Sequence, residues 1–117
     1  MLPASTRVLL HLEAVDMRKG FDSLAAMVTR EGYDVFSGDL YVFLSRRRNR
    51  VKILAWDDGG FLLWNKRLER GQFALPSRTG PHLGTITINA RQLALLLDGV
   101  DYTRIKRPKR WIPGSAA

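Results

Sequence analysis

Guanidinium is the side-chain group best shaped for phosphate, because its planar fork donates paired hydrogen bonds and stays charged at physiological pH. Four of these groups stand close together at Arg46, Arg47, Arg48 and Arg50, and Lys52 follows two positions on. So dense a cluster exceeds what solubility requires. It suits a hairpin tip meeting a polyanion, since a two-stranded ribbon fits the major groove of DNA. Lys66, Arg67 and Arg70 follow the next apolar run and extend the basic set if the chain doubles back. Arg18 and Lys19 are further candidate contacts with DNA or a partner. The opposing reading is a set of solvated charges at a turn.

A second basic run, Arg104, Lys106, Arg107, Lys109 and Arg110, lies in the last part of the chain, with Tyr102 and Trp111 interleaved. Basic residues neutralise phosphates and aromatics stack on bases, so this tail reads either as an arm that orders on DNA or as a solubilising extension. Arginine-rich arms also bind acidic protein surfaces. A third set, Trp56, Phe61 and Trp64, reads as core at strand spacing; on an exposed sheet it would make a stacking platform for single strands.

An active site is harder to find. His11 and His82 stand far apart, Asp57-Asp58 is accounted for as a turn beside Gly59-Gly60, and Asp16 is expected to cap a helix. Glu69 completes the acids worth trying as metal ligands. There is no phosphate-binding glycine loop, nucleophile elbow or histidine zinc motif. A two-metal nuclease is the remote enzymatic alternative, and no cofactor is called for.

Positioning the arginines requires a sheet. Residues 40–44 (LYVFL) and 51–56 (VKILAW) are apolar runs flanking the arginine cluster, and 61–64 (FLLW) returns after Asp57-Asp58-Gly59-Gly60. Such runs bounded by turn residues predict a three-stranded meander, with the arginine turn too basic to be buried. Before it, residues 7–12 predict a strand, and Met17, Phe21, Leu24, Ala25 and Val28 recur at helical spacing up to Gly32. After it, residues 84–88 predict a strand. Asn89 with Gln92 forms a capping box for a helix ending near Gly99. The expected fold is α+β in the order β-α-β-β-β-β-α: a small antiparallel sheet with two helices packed on one face. The expected domain spans 1–101, and 102–117 form a basic flexible tail.

The totals narrow the function classes. The 117-residue length suits one domain. Zero cysteines exclude a disulfide framework, a thiol nucleophile and a cysteine zinc site, and suit the cytoplasm. Nineteen Lys and Arg against eleven Asp and Glu give +8, a surplus that favours nucleic acid as partner over a membrane, because no basic amphipathic helix is visible.

Several motifs also occur together in an order that is familiar. They are Asp16-Met17-Arg18-Lys19-Gly20-Phe21-Asp22 with Leu24-Ala25; Phe36-Ser37-Gly38; Arg47-Arg48-Asn49-Arg50-Val51-Lys52-Ile53-Leu54 with Trp56-Asp57 and Gly60; Lys66-Arg67-Leu68-Glu69-Arg70-Gly71; and Gln92-Leu93-Ala94 through Leu97-Asp98-Gly99-Val100-Asp101. The set resembles the TnpB-type accessory proteins encoded by the second open reading frame of bacterial insertion sequences of family sixty-six. The chain departs from their pattern at Ala14-Val15, at Ser45, where a glycine often precedes the arginines, and at Ala74-Leu75. The resemblance implies a part in transposition beside a larger transposase that carries the strand-transfer catalysis, and it implies no established catalytic residues. The expected partners are DNA, either element ends or non-specific duplex, and the transposase or a second accessory protein of the same element. The leading expectation is a non-catalytic DNA-binding accessory factor. The alternative is a module that docks on the transposase or on that sister protein.

Overall fold

A computed structural model describes residues 6–76 and 83–100. Its elements are β1 (Val8–His11), α1 (Phe21–Arg30), β2 (Leu40–Leu44), β3 (Arg50–Asp57), β4 (Gly60–Arg67), β5 (Thr85–Ile88) and α2 (Ala90–Asp98). The α+β class and the element order are those expected. The five strands form one sheet in the order β4-β3-β2-β1-β5. The meander β2-β3-β4 is antiparallel throughout, and β5 returns antiparallel to β1.

Two expectations need correction. The sheet is mixed rather than wholly antiparallel, because β1 and β2 pair in parallel, with Val8 opposite Leu40 and Leu10 opposite Val42. A helix between two neighbouring strands supplies the crossover a parallel pair needs, and α1 is that helix. The helices also take opposite faces rather than one. Leu24 and Val28 of α1 pack with Leu9, Tyr41, Phe43 and Leu54. Leu96 of α2, flanked by Leu93 and Leu97, packs with Val8, Leu10, Val42, Leu44, Val51, Ile53 and Ile88. Successive strand residues point to opposite sides, and β1 to β3 carry large apolar groups on both, so each face demands a cover.

Asp16 does not cap α1. Its carboxylate accepts from the backbone N–H of Arg18 and grips that residue's guanidinium, with Nη2 donating at 2.6 Å. Gly20 stands at the N-cap with no side-chain bond, and Asp22 in the first turn and Arg30 in the last complement the helix dipole. At α2 the capping box forms as read: the Gln92 N–H donates to Asn89 Oδ1 at 2.7 Å and the Asn89 N–H to Gln92 Oε1 at 2.9 Å.

Asp39 ties the start of β1 to the start of β2. It accepts the Arg7 backbone N–H at 2.9 Å, both forks of the Arg7 guanidinium and the Ser37 hydroxyl. Burial by itself would raise its pKa, but the bonds from the Arg7 backbone, the Arg7 guanidinium and Ser37 prevail and hold it below the usual carboxylate range. A folded pKa below the unfolded value of about 3.9 means stability that is present above that value and lost as pH falls through the folded pKa. Asp39→Asn is therefore expected to melt at lower temperature than the parent at neutral pH, and the gap should close below about pH 4. Thermal melts from pH 2 to 7 check this; a gap independent of pH would refute it.

Candidate nucleic-acid interface

The arginine turn joins β2 to β3, and its backbone is tightly determined. Ser45 N–H donates to Arg50 O at 3.0 Å, Arg48 N–H donates to Ser45 O at 2.9 Å, and Ser45 Oγ receives the Arg50 N–H at 3.1 Å. Arg48 takes a left-handed conformation, φ 55°, uncommon for a residue other than glycine, asparagine, aspartate or histidine. Such a residue persists only where its surroundings over-determine it. Here the surroundings are the segment after β4. Phe73 N–H donates to Arg48 O at 2.6 Å, Leu68 N–H to Asn49 O at 2.8 Å, and the Gln72 side-chain amide to Arg47 O at 2.8 Å. Phe73 itself is 1% exposed in the core. Gln72 and Val100 in turn exchange backbone hydrogen bonds at 2.8 and 2.7 Å, so the end of α2 holds the strap that holds the turn. Gly99 allows this approach: φ is 74°, and a Cβ there would stand 2.8 Å from Leu68 Cδ1. The turn is thus a fixed platform rather than a loose finger.

On that platform Arg46, Arg47 and Arg50 are exposed and Arg48 is half-buried. None of the four enters an ion pair among the described residues. Arg46 and Arg48 line a cleft of about 300 Å³ with Ser45, Leu12, Ala14, Leu44 and Leu75. Arg50 stands directly opposite Arg67 in the β3–β4 ladder. Like charges facing each other across strands repel; Glu69 balances Arg67 and leaves Arg50 as the member open to an external anion. Arg70 is exposed nearby in sequence, beyond β4.

The other predicted residues have local duties. Lys52 Nζ donates to the carbonyl of Lys19 at 2.6 Å, which pulls the 16–19 turn onto the same sheet face as Arg50. Lys66 Nζ donates to Leu97 O at 2.9 Å, placing a cation at the C-terminal end of α2, where the dipole favours it. Arg67 Nε bonds Glu69 at 3.1 Å on the surface. The Arg18 side chain is 91% exposed but already faces Asp16, whose pKa it holds well below the usual carboxylate range, chiefly through the guanidinium hydrogen bonds and then through its backbone N–H. The structure therefore brings Arg50, Arg67 and Lys52 together with the Lys19 backbone. It leaves Lys66 on the opposite face. Arg104, Lys106, Arg107, Lys109 and Arg110 lie outside the described residues.

The aromatics divide. Trp56 is half-buried and meets Phe61 and Phe36 with ring centroids 5.0 and 4.9 Å away. Trp64, expected in the core, is 46% exposed, because β4 is an edge strand and neither helix covers its outer half. His11 is buried, its Nδ1 2.7 Å from Glu31 Oε2 and its ring against Phe43, with Thr85 donating to the same glutamate. Among the described residues no cluster of three His, Asp or Glu could hold a metal ion, and no helix is long and apolar enough to cross a membrane.

The strap is not legible in the sequence, because its bonds run to backbone carbonyls that no local pattern reveals. Its one signal is the short apolar group Phe73-Ala74-Leu75 between Gly71-Gln72 and Pro76.

Residues 6–107 match the family model described as IS66 Orf2 like protein. The uncharacterized protein y4hO of Sinorhizobium fredii (strain NBRC 101917 / NGR234) is 41% identical over 106 residues, covering 87% of this chain and 89% of its own. A second uncharacterized protein of that strain, y4jC, is 33% identical over 102 residues, covering 86% and 85%. No solved structure matches the chain.

Proposed function

The chain belongs to the IS66 Orf2-like protein family, and from that membership we propose that it is an accessory factor in transposition of a bacterial insertion sequence, binding DNA through its arginine turn. The observation that carries the reading is the strapped turn, whose arginines sit on a fixed backbone without acidic partners among the described residues. A preorganised cationic array loses little freedom on meeting a phosphate backbone, so more of its attraction appears as affinity. Arg46, Arg47, Arg48 and Arg50 contact phosphates; Arg67 and Lys52 extend the patch on the α1 side of the sheet, and Arg70, exposed beyond β4, is a further contact. Contacts of this kind position DNA without reading its bases. Sequence choice then rests with the element's transposase, the protein beside which this factor works, and strand transfer is that protein's chemistry.

The test is binding to element-end duplex and to scrambled duplex of equal length across a salt series. Each neutralised phosphate contributes a slope of about −0.9 in log K against log salt. The expected result is a steep slope with similar affinity for both duplexes. Absence of binding at moderate salt refutes the DNA reading and leaves an acidic surface of the transposase as what the arginines meet.

A further inference from the structure

Strand β4 is the outer strand of the sheet and runs for eight residues, Gly60–Arg67. The turn before it has two residues, Asp58 and Gly59, both left-handed at φ 43° and 94°, with Asp57 opposite Gly60. That is the two-residue hairpin whose closing pair is hydrogen-bonded. Alternation then turns the backbone groups of Gly60, Leu62, Trp64 and Lys66 toward β3, and those of Phe61, Leu63 and Asn65 outward. The Leu68 N–H bond to Asn49 O keeps the same phase at the far end.

Among the described residues nothing pairs with the outer side of β4, and an open edge of this length is ordinarily blunted by proline, a bulge or a lysine in the middle of the strand. The stretch Phe61-Leu62-Leu63-Trp64-Asn65 has no proline or lysine and its register with β3 is unbroken, and Leu62 and Trp64 are 57% and 46% exposed beside it. Charge is distributed unevenly along the edge. Acid stands at its start, Asp57 and Asp58, and base at its end, Lys66 and Arg67, with the apolar run Phe61 to Trp64 and no charge between. Antiparallel pairing of the strand with itself sets start against end, so each acidic turn meets a basic end.

We propose that a second copy of this chain pairs along β4, about a two-fold axis through Leu63, to make a continuous ten-stranded sheet. In this register Leu63 faces the partner's Leu63, Leu62 faces the partner's Trp64, and Phe61 faces the partner's Asn65. Arg67 comes beside the partner's Asp58. Symmetry makes each of the unlike contacts twice. An axis moved to Trp64 would set Arg67 against the partner's Phe61 and lose the match of charge. The interface buries both large exposed side chains of the edge and satisfies its outward backbone groups. It leaves Arg46, Arg47, Arg48 and Arg50 uncovered, one turn toward each end of the sheet, and shares only Arg67 with the proposed DNA patch, so it stands whether or not the turns bind DNA.

The chain has no cysteine, so single introduced thiols report cleanly. Hydrogen-bonded antiparallel pairs hold their Cα atoms about 5.5 Å apart, within disulfide reach. Under mild oxidation Leu63→Cys should cross-link as a dimer ~tenfold faster than Asn65→Cys, whose own counterpart is about 14 Å away in this register. The parent should sediment at twice the 13.3 kDa chain mass. Trp64→Lys, at an exposed position, should sediment as a monomer with an unchanged circular dichroism spectrum. A monomeric parent at tens of micromolar overturns the proposal. So does a dimer in which the two thiols cross-link at equal rates, since it would use another face.

Discussion

Arg46→Glu with Arg47→Glu is expected to weaken duplex binding roughly ten- to a hundredfold at moderate salt and to reduce the magnitude of the salt slope by about 1.8, the value of two lost phosphate contacts. The melting temperature should not fall. Both side chains are exposed and neither is in an ion pair among the described residues, so their removal takes nothing from the fold. The one bond from this pair of residues to the strap uses the Arg47 carbonyl, which glutamate keeps. Arg18→Ala supplies the contrast within the same molecule. Its guanidinium already has a carboxylate partner in Asp16, so its loss should change affinity much less. A folded double variant with parental affinity and slope would remove the arginine turn from the interface.

The second large effect concerns Phe73. Truncation of a buried phenylalanine to alanine typically costs about 3–5 kcal/mol, through lost transfer energy and the cavity left behind. Set against a usual total of about 5–15 kcal/mol, that brings a small domain close to its threshold. Phe73→Ala should therefore lower the denaturation midpoint sharply, and Phe73→Leu should recover much of it, because volume is largely kept. Phe73 differs from an ordinary core residue in what it steadies. Its N–H holds the carbonyl of Arg48, the one left-handed residue of the turn. Hydrogen exchange at the amides of residues 45–50 should accelerate more than exchange in β1, even under conditions where the variant remains folded. Uniform acceleration across the domain would mean that Phe73 contributes core volume alone and does not anchor the turn.

Much of this architecture is legible in the residues. The β2-β3-β4 meander follows from runs rich in Val, Phe, Tyr and Trp separated by an arginine cluster and an Asp-Gly turn. The α2 start follows from Asn89 and Gln92, and both helix ends follow from Gly32 and Gly99. The side each helix takes is not legible. Val8, Leu10, Val42 and Leu44 form one apolar row, Leu9, Tyr41 and Phe43 form another, and a strand apolar on both faces does not say which cover lies where. Asp16 has the chemistry of a cap, and only the chain's path shows Arg18 claiming it first. At the site, the cluster of arginines is visible at once. That Lys52 and Lys66 bond carbonyls 33 and 31 positions away is not visible, because a lysine's reach depends on which backbone the fold brings within it. Trp64 misleads for a similar reason: its type says core, and its place on the edge strand exposes it.

The facing pair Arg50 and Arg67 bears on how this domain can change over generations. Glu69 balances Arg67, whereas Arg50 faces it with no acidic partner among the described residues, so neutralising Arg50 should give a sturdier protein. The same change thins the positive field at the arginine turn. Sturdiness and grip are therefore drawn from one side chain, Arg50, and selection for one works against the other. A domain that kept both arginines would be tuned to its ligand at the expense of its own rigidity, and an anion settled between them would restore what the repulsion takes away.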